Sequence, residues 1–510
     1  MSEWYVQVGE DVGRALTRLA PLMGTLLLPA AYWGEVYAVP GVLASVAVTF
    51  ALGWVLSRLC QPADDASKAE VFASAGAVWL AAVLVGTLPF LTVAWTVGVN
   101  PGFASIPPSA ADPTLRVFQD PVNAWFESMS GFTGSGLTMA RKESELPHTI
   151  QWWRSLSQWL GGLGVIVLTV AIVNESGNSM LSQYYEDRSP LGQFQSDDQS
   201  NDPKLLVGVF TVATLLAAAL FWAVGMPVWD SLNHAMTGLA TGGFSVTDNS
   251  IATYDSAVIE YALWPVMLLG SIAFPIHYLI LRGDLRNLYA DLQTRWVFGS
   301  FAVGSVAMVA VLVQSGAYDG VAAALRYGGF QFISAMSCTG FQSAPISEWS
   351  VTAQLVLSGG MTVGAAAGST AGGIKLVRLL TLLKGTAFRI SGVFYPASAV
   401  RRFRFDGRVL TDTEASQEFE EAAIVAFLWV LFLLLGIVVL LAVVPDSYTL
   451  ENVVFEIAST QGNVGLSTGI VGPDMSPIAK GTLLFNMWIG RLEIIPVLVA
   501  LRALLTRGRQ

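Results

Sequence analysis

Four short segments of this 510-residue chain share one glycine register. Each has glycine at its eleventh position, an aromatic residue or leucine directly after it, and a hydroxyl residue six positions before it. Because glycine can hold an extended or left-handed backbone, four such turns can direct their carbonyl oxygens toward one axis. A ring of carbonyl oxygens can replace the water shell of an alkali cation. The segments are FESMSGFTGSGL (126–137), NHAMTGLATGGF (233–244), FQFISAMSCTGF (330–341) and FEIASTQGNVGL (455–466).

The last residues of each turn are therefore candidate ion ligands in a selectivity filter. Helix ends before the turns would add negative dipole at the same axis. Close helix packing through small residues explains any one segment better, but four copies in register favour a filter. The candidate ligands are Gly134, Ser135, Gly136, Thr241, Gly242, Gly243, Cys338, Thr339, Gly340, Asn463, Val464 and Gly465.

Nine residues before the registered glycine, each segment has a polar side chain. These four residues are expected to lie behind the filter, where they would support the short helices through hydrogen bonds rather than bind ions. They are Glu127, His234, Gln331 and Glu456.

A second glycine-rich stretch, GGMTVGAAAGSTAGGIKLVR (359–378), interrupts an apolar segment of membrane-spanning length. Thirteen of its twenty residues are Gly, Ala, Ser or Thr, so it has little apolar side-chain surface and weak helix preference at its glycines. One interpretation is a break in the span, and the other is a tightly packed straight helix with glycine at every fourth position. The residues of the candidate loop are Gly359, Gly360, Gly364, Gly368, Ser369, Thr370, Gly372 and Gly373.

Arg491 lies near the middle of the last apolar segment, about 20 Å from its outer end at the helical rise of about 1.5 Å per residue. A charge at that depth is costly, so we expect Arg491 to face a pore or to pair with a carboxylate. Lys375 and Arg378 follow the glycine-rich stretch directly, and we expect them to extend to the inner surface.

The elements that would position these residues are membrane helices. With 53% hydrophobic residues, 13% charged residues and a mean hydropathy of +0.57, the composition is typical of an integral membrane protein. Four shorter stretches, near 121–133, 228–240, 326–337 and 450–462, predict re-entrant half-helices that line a wet cavity. Ten apolar runs predict spans near 16–35, 40–60, 70–97, 150–173, 205–226, 257–281, 296–314, 351–384, 422–444 and 478–505.

These elements predict an all-α polytopic membrane protein. Its core would be four repeats of span, pore helix and span around one pore, with two extra spans at the N-terminus. We divide the chain into an N-terminal extension, 1–69, and pore repeats 1 to 4 at 70–175, 204–283, 294–385 and 418–510.

Basic residues are concentrated in two connections, which the positive-inside rule places in the cytoplasm together with both termini. The connection 174–204 is acidic and does not follow this pattern, but acidic residues contribute little to orientation. The basic residues are Lys384, Arg389, Arg401, Arg402, Arg404 and Arg408 in one connection and Arg282, Arg286 and Arg295 in the other.

Composition and motifs also exclude several classes of function. The net charge of −10 argues against a nucleic-acid partner. The contexts of Cys60 and Cys338 predict neither a disulfide framework nor a metal site. We find no catalytic Ser/His/Asp set and no phosphate-binding loop, so we predict neither an enzyme nor a bound cofactor. An intramembrane enzyme stays as an alternative from another class, although few Asp, Glu or His residues lie within the spans.

Three motifs carry a resemblance to a known family. QWLGGLGVIVL (158–168), AGSTAGGIKLVR (367–378) and MWIGRLEIIPVL (487–498), together with the four-fold plan, resemble the Trk/Ktr/HKT superfamily of potassium transporters. The likeness runs from about Glu70 to the C-terminus, and the two spans ahead of it are similar to the TrkH-type branch.

The resemblance implies that the chain is the pore subunit of a K⁺ uptake system in the cell membrane. It implies a homodimer in membrane lipid, regulated by a cytoplasmic nucleotide-binding subunit similar to TrkA. The loop 359–373 would be an intramembrane gate, with Arg491 against it below the filter. Within the family a serine at the first filter glycine goes with Na⁺ preference, and Gly136 stands there. A Na⁺-permeable or K⁺/Na⁺-coupled member is the alternative, because the four filter sequences differ from one another.

Overall fold

The N-terminal extension is a pair of closely packed helices joined by short helical turns. The computed structural model describes residues 3–60, 68–99, 113–175, 203–396, 401–405 and 408–505. A Cβ atom on Gly13 would lie 2.6 Å from the backbone nitrogen of Ser57, and one on Gly53 would lie 2.6 Å from that of Thr17, so small residues allow the two helix backbones to approach. The elements are α1 (Glu3–Met23), α2 (Leu27–Tyr32) and α3 (Val39–Leu59), with 3₁₀ turns at Gly24–Leu26 and Val36–Ala38.

The connection between α2 and α3 joins this extension to the first repeat. Glu35 accepts hydrogen bonds from the backbone nitrogens of His148 (2.7 Å) and Thr149 (2.9 Å), at the start of the next long helix. Trp33 stacks on the His148 ring at 4.1 Å. A carboxylate at a helix N-terminus accepts hydrogen bonds from free N–H groups and interacts favourably with the helix dipole. Glu35 therefore attaches the extension to the start of the helix that begins at His148.

Repeats 1 and 2 each place a short helix between two longer helical segments. Pro121 begins the first short helix, where a missing N–H costs nothing, and the side chain of Asp120 caps it. Repeat 1 contains α4 (Lys68–Val99), α5 (Pro113–Arg116), α6 (Pro121–Thr133) and α7 (His148–Glu175). Repeat 2 contains α8 (Pro203–Ala223), α9 (Val228–Leu239), α10 (Ala257–Ser271) and α11 (Phe274–Leu281).

Repeats 3 and 4 follow the same plan, and a short two-stranded hairpin lies between them. The hairpin pairs Phe403 with Leu410 and Phe405 with Arg408, so the described part of the chain contains one small sheet, which lies in a basic connection. Repeat 3 contains α12 (Asn287–Ala290), α13 (Leu292–Gln314), α14 (Val321–Ala324), a π-helical turn (Leu325–Gly329), α15 (Phe330–Met336), α16 (Val351–Thr362) and α17 (Leu376–Gly392). The strands are β1 (Phe403–Phe405) and β2 (Arg408–Leu410), and repeat 4 contains α18 (Asp412–Val443), α19 (Leu450–Gly462), α20 (Pro477–Arg491) and α21 (Ile495–Leu505).

Two predicted spans are not straight helices, which corrects the sequence analysis. The segment 257–281 bends by 110° between α10 and α11, and 478–505 bends by 114° between α20 and α21. At the first bend, Pro275 lies in the first turn of α11. At the second bend, Glu493 and Ile494 adopt positive φ. The four half-helices, in contrast, lie close to their expected bounds.

Five described helices are long and apolar enough to cross a membrane, or seven if each bent pair counts as one span. The predicted spans 16–35, 150–173 and 351–384 correspond to the interrupted α1–α2 segment, to α7 and to the broken α16–α17 segment. Most of the acidic connection expected at 174–204 lies outside the described residues.

Candidate functional site

The four glycine turns have the same backbone conformation. The first residue of each predicted ligand triplet has positive φ: 67° at Gly134, 51° at Thr241, 58° at Cys338 and 54° at Asn463. The third residue is also left-handed, with φ of 74°, 73°, 78° and 103° at the four registered glycines, Gly136, Gly243, Gly340 and Gly465. Thr241, Cys338 and Asn463 are not glycines, and a left-handed conformation costs such residues free energy. The surrounding structure must therefore hold these turns in place.

The four turns form a closed ring. A Cβ atom added to Gly136 would overlap the carbonyl oxygen of Gly242 in the second turn, and one on Gly243 would overlap that of Thr339 in the third. One on Gly340 would overlap the carbonyl oxygen of Val464 in the fourth turn. Gly465 closes the circle, because its Cβ would lie 2.6 Å from the carbonyl oxygen of Ser135 in the first. The twelve predicted ligand residues are therefore brought together in one constriction.

Each turn is anchored to its own short helix. The middle residue of every triplet donates its N–H to the carbonyl oxygen of the hydroxyl residue in the register, at 2.8–3.0 Å. The residue after each registered glycine is buried, as its apolar type predicts. The four bonds run from Ser135 to Ser130, from Gly242 to Thr237, from Thr339 to Ser334 and from Val464 to Ser459.

The polar residues nine positions before the glycines support the chain that leaves the ring. Glu127 accepts from the backbone nitrogen of Met139 at 2.8 Å, and Gln331 accepts from that of Ser343 at 2.7 Å. Glu456 accepts from the backbone nitrogen of Thr468 at 3.0 Å, and His234 lies 2.9 Å from the hydroxyl of Ser245. All four residues are buried behind the turns. Their predicted hydrogen-bonding role is confirmed by these contacts.

Two residues that the sequence analysis missed strengthen the junction of repeats 1 and 2. Arg154 pairs with Glu127 at 2.7 Å and donates to the carbonyl oxygen of Ser245 at 2.6 Å, with its guanidinium over the Phe244 ring. Gln158 donates to the carbonyl oxygen of Gly242 at 2.6 Å. Of the carbonyl oxygens of the twelve predicted ligand residues, only that of Gly242 accepts a hydrogen bond from a residue that the structure describes.

The glycine-rich span is broken, but later than predicted. α16 continues to Thr362, so Gly359 and Gly360 are helical and the break covers residues 363–375. The other six predicted loop glycines and hydroxyl residues lie within the break and are buried. Gly364 donates to the carbonyl oxygen of Ile374, and Ile374 donates to that of Thr362, both at 3.0 Å, which closes the loop at its ends.

The loop crosses to the bend in repeat 2. Phe274 donates its N–H to the carbonyl oxygen of Gly368 at 3.0 Å, and Ala366 donates to that of Ser271 at 3.2 Å. Backbone groups that the bend releases from the helix are thus paired with the loop, as irregular backbone within a membrane requires. Ala367 also donates to the side chain of Gln293, another residue that the sequence analysis did not select.

Thr370 is the point where the loop meets the ring. Its hydroxyl accepts a hydrogen bond from Thr241 at 3.1 Å and lies 3.0 Å from the carbonyl oxygen of Gly270 and 3.1 Å from that of Leu239. Its own carbonyl oxygen accepts a hydrogen bond from Arg491 at 2.7 Å.

Arg491 is 5% exposed and lies between Thr370 of the loop and Gly134, the first residue of the first predicted ligand triplet. A Cβ atom on Gly134 would be 3.4 Å from its guanidinium. Its other two guanidinium nitrogens have no hydrogen-bond partner among the described residues. Glu493 instead pairs with Arg378. Arg491 therefore faces the inside of the protein without an ion pair to a described carboxylate.

The expectation that Lys375 and Arg378 reach the inner surface is wrong for Lys375. The Lys375 side chain is 6% exposed and its ammonium donates to the carbonyl oxygen of Ala371, within the loop. Arg378 is held by its pair with Glu493, at the second bend. Lys375 therefore stabilises backbone of the broken span, and Arg378 links the start of α17 to the bend between α20 and α21.

On the side of the ring away from Arg491 lies a cavity of 380 Å³, the vestibule. The four registered glycines form part of its lining, together with Glu143, Arg154 and Asp248. Burial raises the pKa of Glu143 to about 7. Asp248 accepts hydrogen bonds from the backbone nitrogen and hydroxyl of Ser144, both at 2.9 Å.

Comparison with known proteins supports the architecture. Residues 95–509 match the model of the TrkH cation transport protein family. The chain is 30% identical over 464 residues to an uncharacterized cation transporter of Methanocaldococcus jannaschii, covering 91% of this chain and 87% of the relative. It is 29% identical over 499 residues to the Trk system potassium uptake protein TrkH of Salmonella typhimurium, covering 95% and 98%.

A solved structure agrees with the fold. The crystal structure of the potassium transporter TrkH from Vibrio parahaemolyticus superposes with a TM-score of 0.80 at 23% identity, covering 98% of this chain and 99% of that one. The four-fold helical plan is thus confirmed, and the family is one of transporters, as predicted, rather than of enzymes. With the family model matching most of the sequence, this chain belongs to the TrkH family of cation transport proteins.

Proposed function

We propose that this chain is the K⁺-translocating subunit of a Trk-type uptake system in the cell membrane. The observation that carries the proposal is the ring of four left-handed turns, in which eleven of twelve ligand carbonyl oxygens accept no hydrogen bond from a described residue. Such oxygens are available to replace the hydration shell of a cation. The relatives named as potassium uptake proteins support K⁺ as the cargo.

The test is cation flux into liposomes that carry the purified full-length chain, with K⁺, Rb⁺, Na⁺ and Li⁺ compared. We expect K⁺ and Rb⁺ to enter faster than Na⁺ and Li⁺. Equal or faster Na⁺ entry would replace the proposal by a Na⁺-permeable or K⁺/Na⁺-coupled transporter. Absence of flux for all four cations, both in the folded parent and in a folded variant that lacks residues 365–371, would refute the transport proposal itself.

Gly136→Ser sharpens the test of the ring. Glycine at this position has φ of 74°, and any side chain would overlap the carbonyl oxygen of Gly242. Because the substitution displaces a ligand oxygen without removing the pore, we expect the K⁺/Na⁺ flux ratio to fall by about tenfold, the factor that corresponds to about 1.4 kcal/mol. An unchanged ratio would count against these oxygens as the selectivity filter.

We further propose that the loop 363–375 and Arg491 form a closed gate below the ring. Arg491 holds the loop through the carbonyl oxygen of Thr370, and its charge raises the barrier for a cation at that point. Deleting residues 365–371 should therefore increase K⁺ or Rb⁺ flux in liposomes that contain no regulator. A folded deletion variant that conducts no faster than the parent would show that the loop is a packing element.

The partners of the chain follow from the same proposal. We infer a homodimer in the lipid bilayer, with both termini cytoplasmic, and a separate nucleotide-binding subunit similar to TrkA docked on the basic cytoplasmic connections. The described part of the chain from Arg401 to Arg404 is rich in exposed positive charge, which favours such a surface. Purification of the chain from native membranes should recover the regulator, and recovery of the chain alone would contradict this assembly.

A further inference from the structure

A deep apolar groove opens on an exposed side of repeat 3. It has a volume of 720 Å³ and lies between α13, α15, α16 and α17. Two of its lining glycines keep it open, because a Cβ atom on Gly299 or Gly359 would meet no atom within 4 Å. A third, Gly304, is packed tightly against Phe332, which forms the inner wall.

The surface around this groove faces the hydrocarbon of the membrane. α13 is one of the helices long and apolar enough to span, and its residues Val303 and Val306 are 72% and 70% exposed. An empty groove would leave its lining without van der Waals partners on one side. Some apolar group must therefore fill it, and on a membrane-facing surface a lipid acyl chain is available at every moment.

One end of the groove has the chemistry of a headgroup site. Arg295 and Trp296 line it in the first turn of α13, and both side chains are exposed. Arginine pairs with phosphate through two parallel hydrogen bonds, and tryptophan is favoured at the boundary between headgroups and acyl chains. The carboxylate of Asp291, one turn earlier, is already bonded to the backbone nitrogen and hydroxyl of Thr294, both at 2.7 Å.

The dimensions of the groove match one leaflet. From Arg295 to Gly304 the helix rises about 14 Å at about 1.5 Å per residue. Half of a hydrocarbon core about 30 Å thick is about 15 Å. An acyl chain with its headgroup at Arg295 would thus end beside Phe332 of the third pore helix, which packs against Gly304.

We propose that this groove binds one anionic phospholipid, with an acyl chain between α13 and α16 and its phosphate at Arg295. The groove also touches Val363, the first residue after α16, so the bound lipid contacts the start of the loop 363–375. Binding does not depend on which cation the chain transports, and it can be tested separately from the proposed function.

The experiment uses the full chain in phosphatidylcholine liposomes that contain photoactivatable phosphatidylglycerol with the reactive group on an acyl chain. Mass spectrometry then maps the cross-links. We expect cross-links at α13 and α16, and a loss of at least about fivefold in Gly359→Leu, because a Cβ atom there meets no atom within 4 Å and the larger side chain extends into the groove. Gly208→Leu is the matched control, since Gly208 is an exposed glycine of α8 with equally open surroundings.

Arg295→Gln tests the headgroup. We expect it to remove the preference for phosphatidylglycerol over a phosphatidylcholine probe of the same acyl chain, while labelling by phosphatidylcholine persists. Equal labelling of the Gly359→Leu variant and the parent would overturn the proposal. It would also be overturned if the parent groove resisted lipid labelling and Gly359→Leu instead broke a dimer, since the groove would then bind a second copy of the chain.

Discussion

The ring of glycine turns and the loop beneath it are built in opposite ways. The ring uses backbone contacts that recur in all four repeats, and each turn is in contact with the next. The loop occurs once, and it is held by different groups on each side: the bend in repeat 2, the hydroxyl of Thr241 and the guanidinium of Arg491. Each turn of the ring is therefore held in position by its neighbours, whereas the loop is held by a few separate hydrogen bonds.

This difference suits the two proposed tasks. Discrimination between cations needs ligand oxygens at fixed positions. Because the backbones of adjacent turns are in contact, one turn cannot shift without moving its neighbour. A gate needs contacts that can be exchanged, and single hydrogen bonds contribute only about 0.5–1.5 kcal/mol, or about 1.5–3 kcal/mol with a charged group. Substitutions in the ring should therefore abolish transport or selectivity, while substitutions at the loop should change how readily the pathway opens.

The largest effect is expected at Gly340. Gly340→Ala places a Cβ atom onto the carbonyl oxygen of Val464 and forces alanine to φ of 78°. We expect K⁺ flux in liposomes to fall by more than about 100-fold, because strain and backbone overlap disrupt two neighbouring turns at once. Gly481→Ala is the control, since a Cβ there meets no atom within 4 Å. Normal flux from Gly340→Ala would mean that the ring is not the constriction.

Removal of the loop's charged contact should have the next largest effect, and in the opposite direction. Arg491→Ala deletes both the bond to Thr370 and the positive charge, so we expect basal K⁺ flux without a regulator to rise by about tenfold. Arg491→Lys keeps the charge but loses the planar donor group, and its flux should be intermediate. If the alanine variant is folded and no faster than the parent, Arg491 does not hold the loop closed.

A smaller increase is expected from Thr370→Val. This change removes the hydroxyl that joins the loop to Thr241 and to the carbonyl oxygens of Leu239 and Gly270, but it leaves the bond from Arg491 to the backbone. Loss of about one neutral hydrogen bond predicts an increase of basal flux of about fivefold. Thr370→Ser retains the hydroxyl and should behave as the parent does, whereas equal flux from both variants would show that the hydroxyl does not hold the loop.

The smallest effect concerns the vestibule. Glu143 has a raised pKa of about 7, so its carboxylate is mostly neutral below that pH and mostly charged above it. A negative charge at the mouth attracts cations, and K⁺ uptake at limiting K⁺ should rise by about twofold as pH increases through this pKa. Glu143→Gln should remove that rise. Glu145→Gln is the control, because Glu145 pairs with Lys142 and does not line the vestibule.

Much of the architecture followed from patterns that depend on local physical chemistry. Apolar length predicted membrane helices, and half-length apolar stretches predicted the four pore helices, because hydrocarbon tolerates little else. The glycine register predicted the four turns, since left-handed backbone and close approach both require a residue without Cβ. The resemblance of three motifs to a transporter family agreed with the match of residues 95–509.

What the sequence alone left undecided are contacts between residues far apart in the chain. The bends at 272–273 and 492–494 occur where other elements approach the broken backbone: the loop at the first bend and Arg378 at the second. Likewise, the break begins after Thr362 rather than at Gly359, because Gly359 and Gly360 still fit a helix beside α13 and α15. Lys375 also points inward because of a contact within the folded loop, where its ammonium donates to the carbonyl oxygen of Ala371. Local helix preference indicates which residues can leave a helix. Whether they do so depends on tertiary packing, because the released backbone groups need hydrogen-bond partners from other parts of the chain.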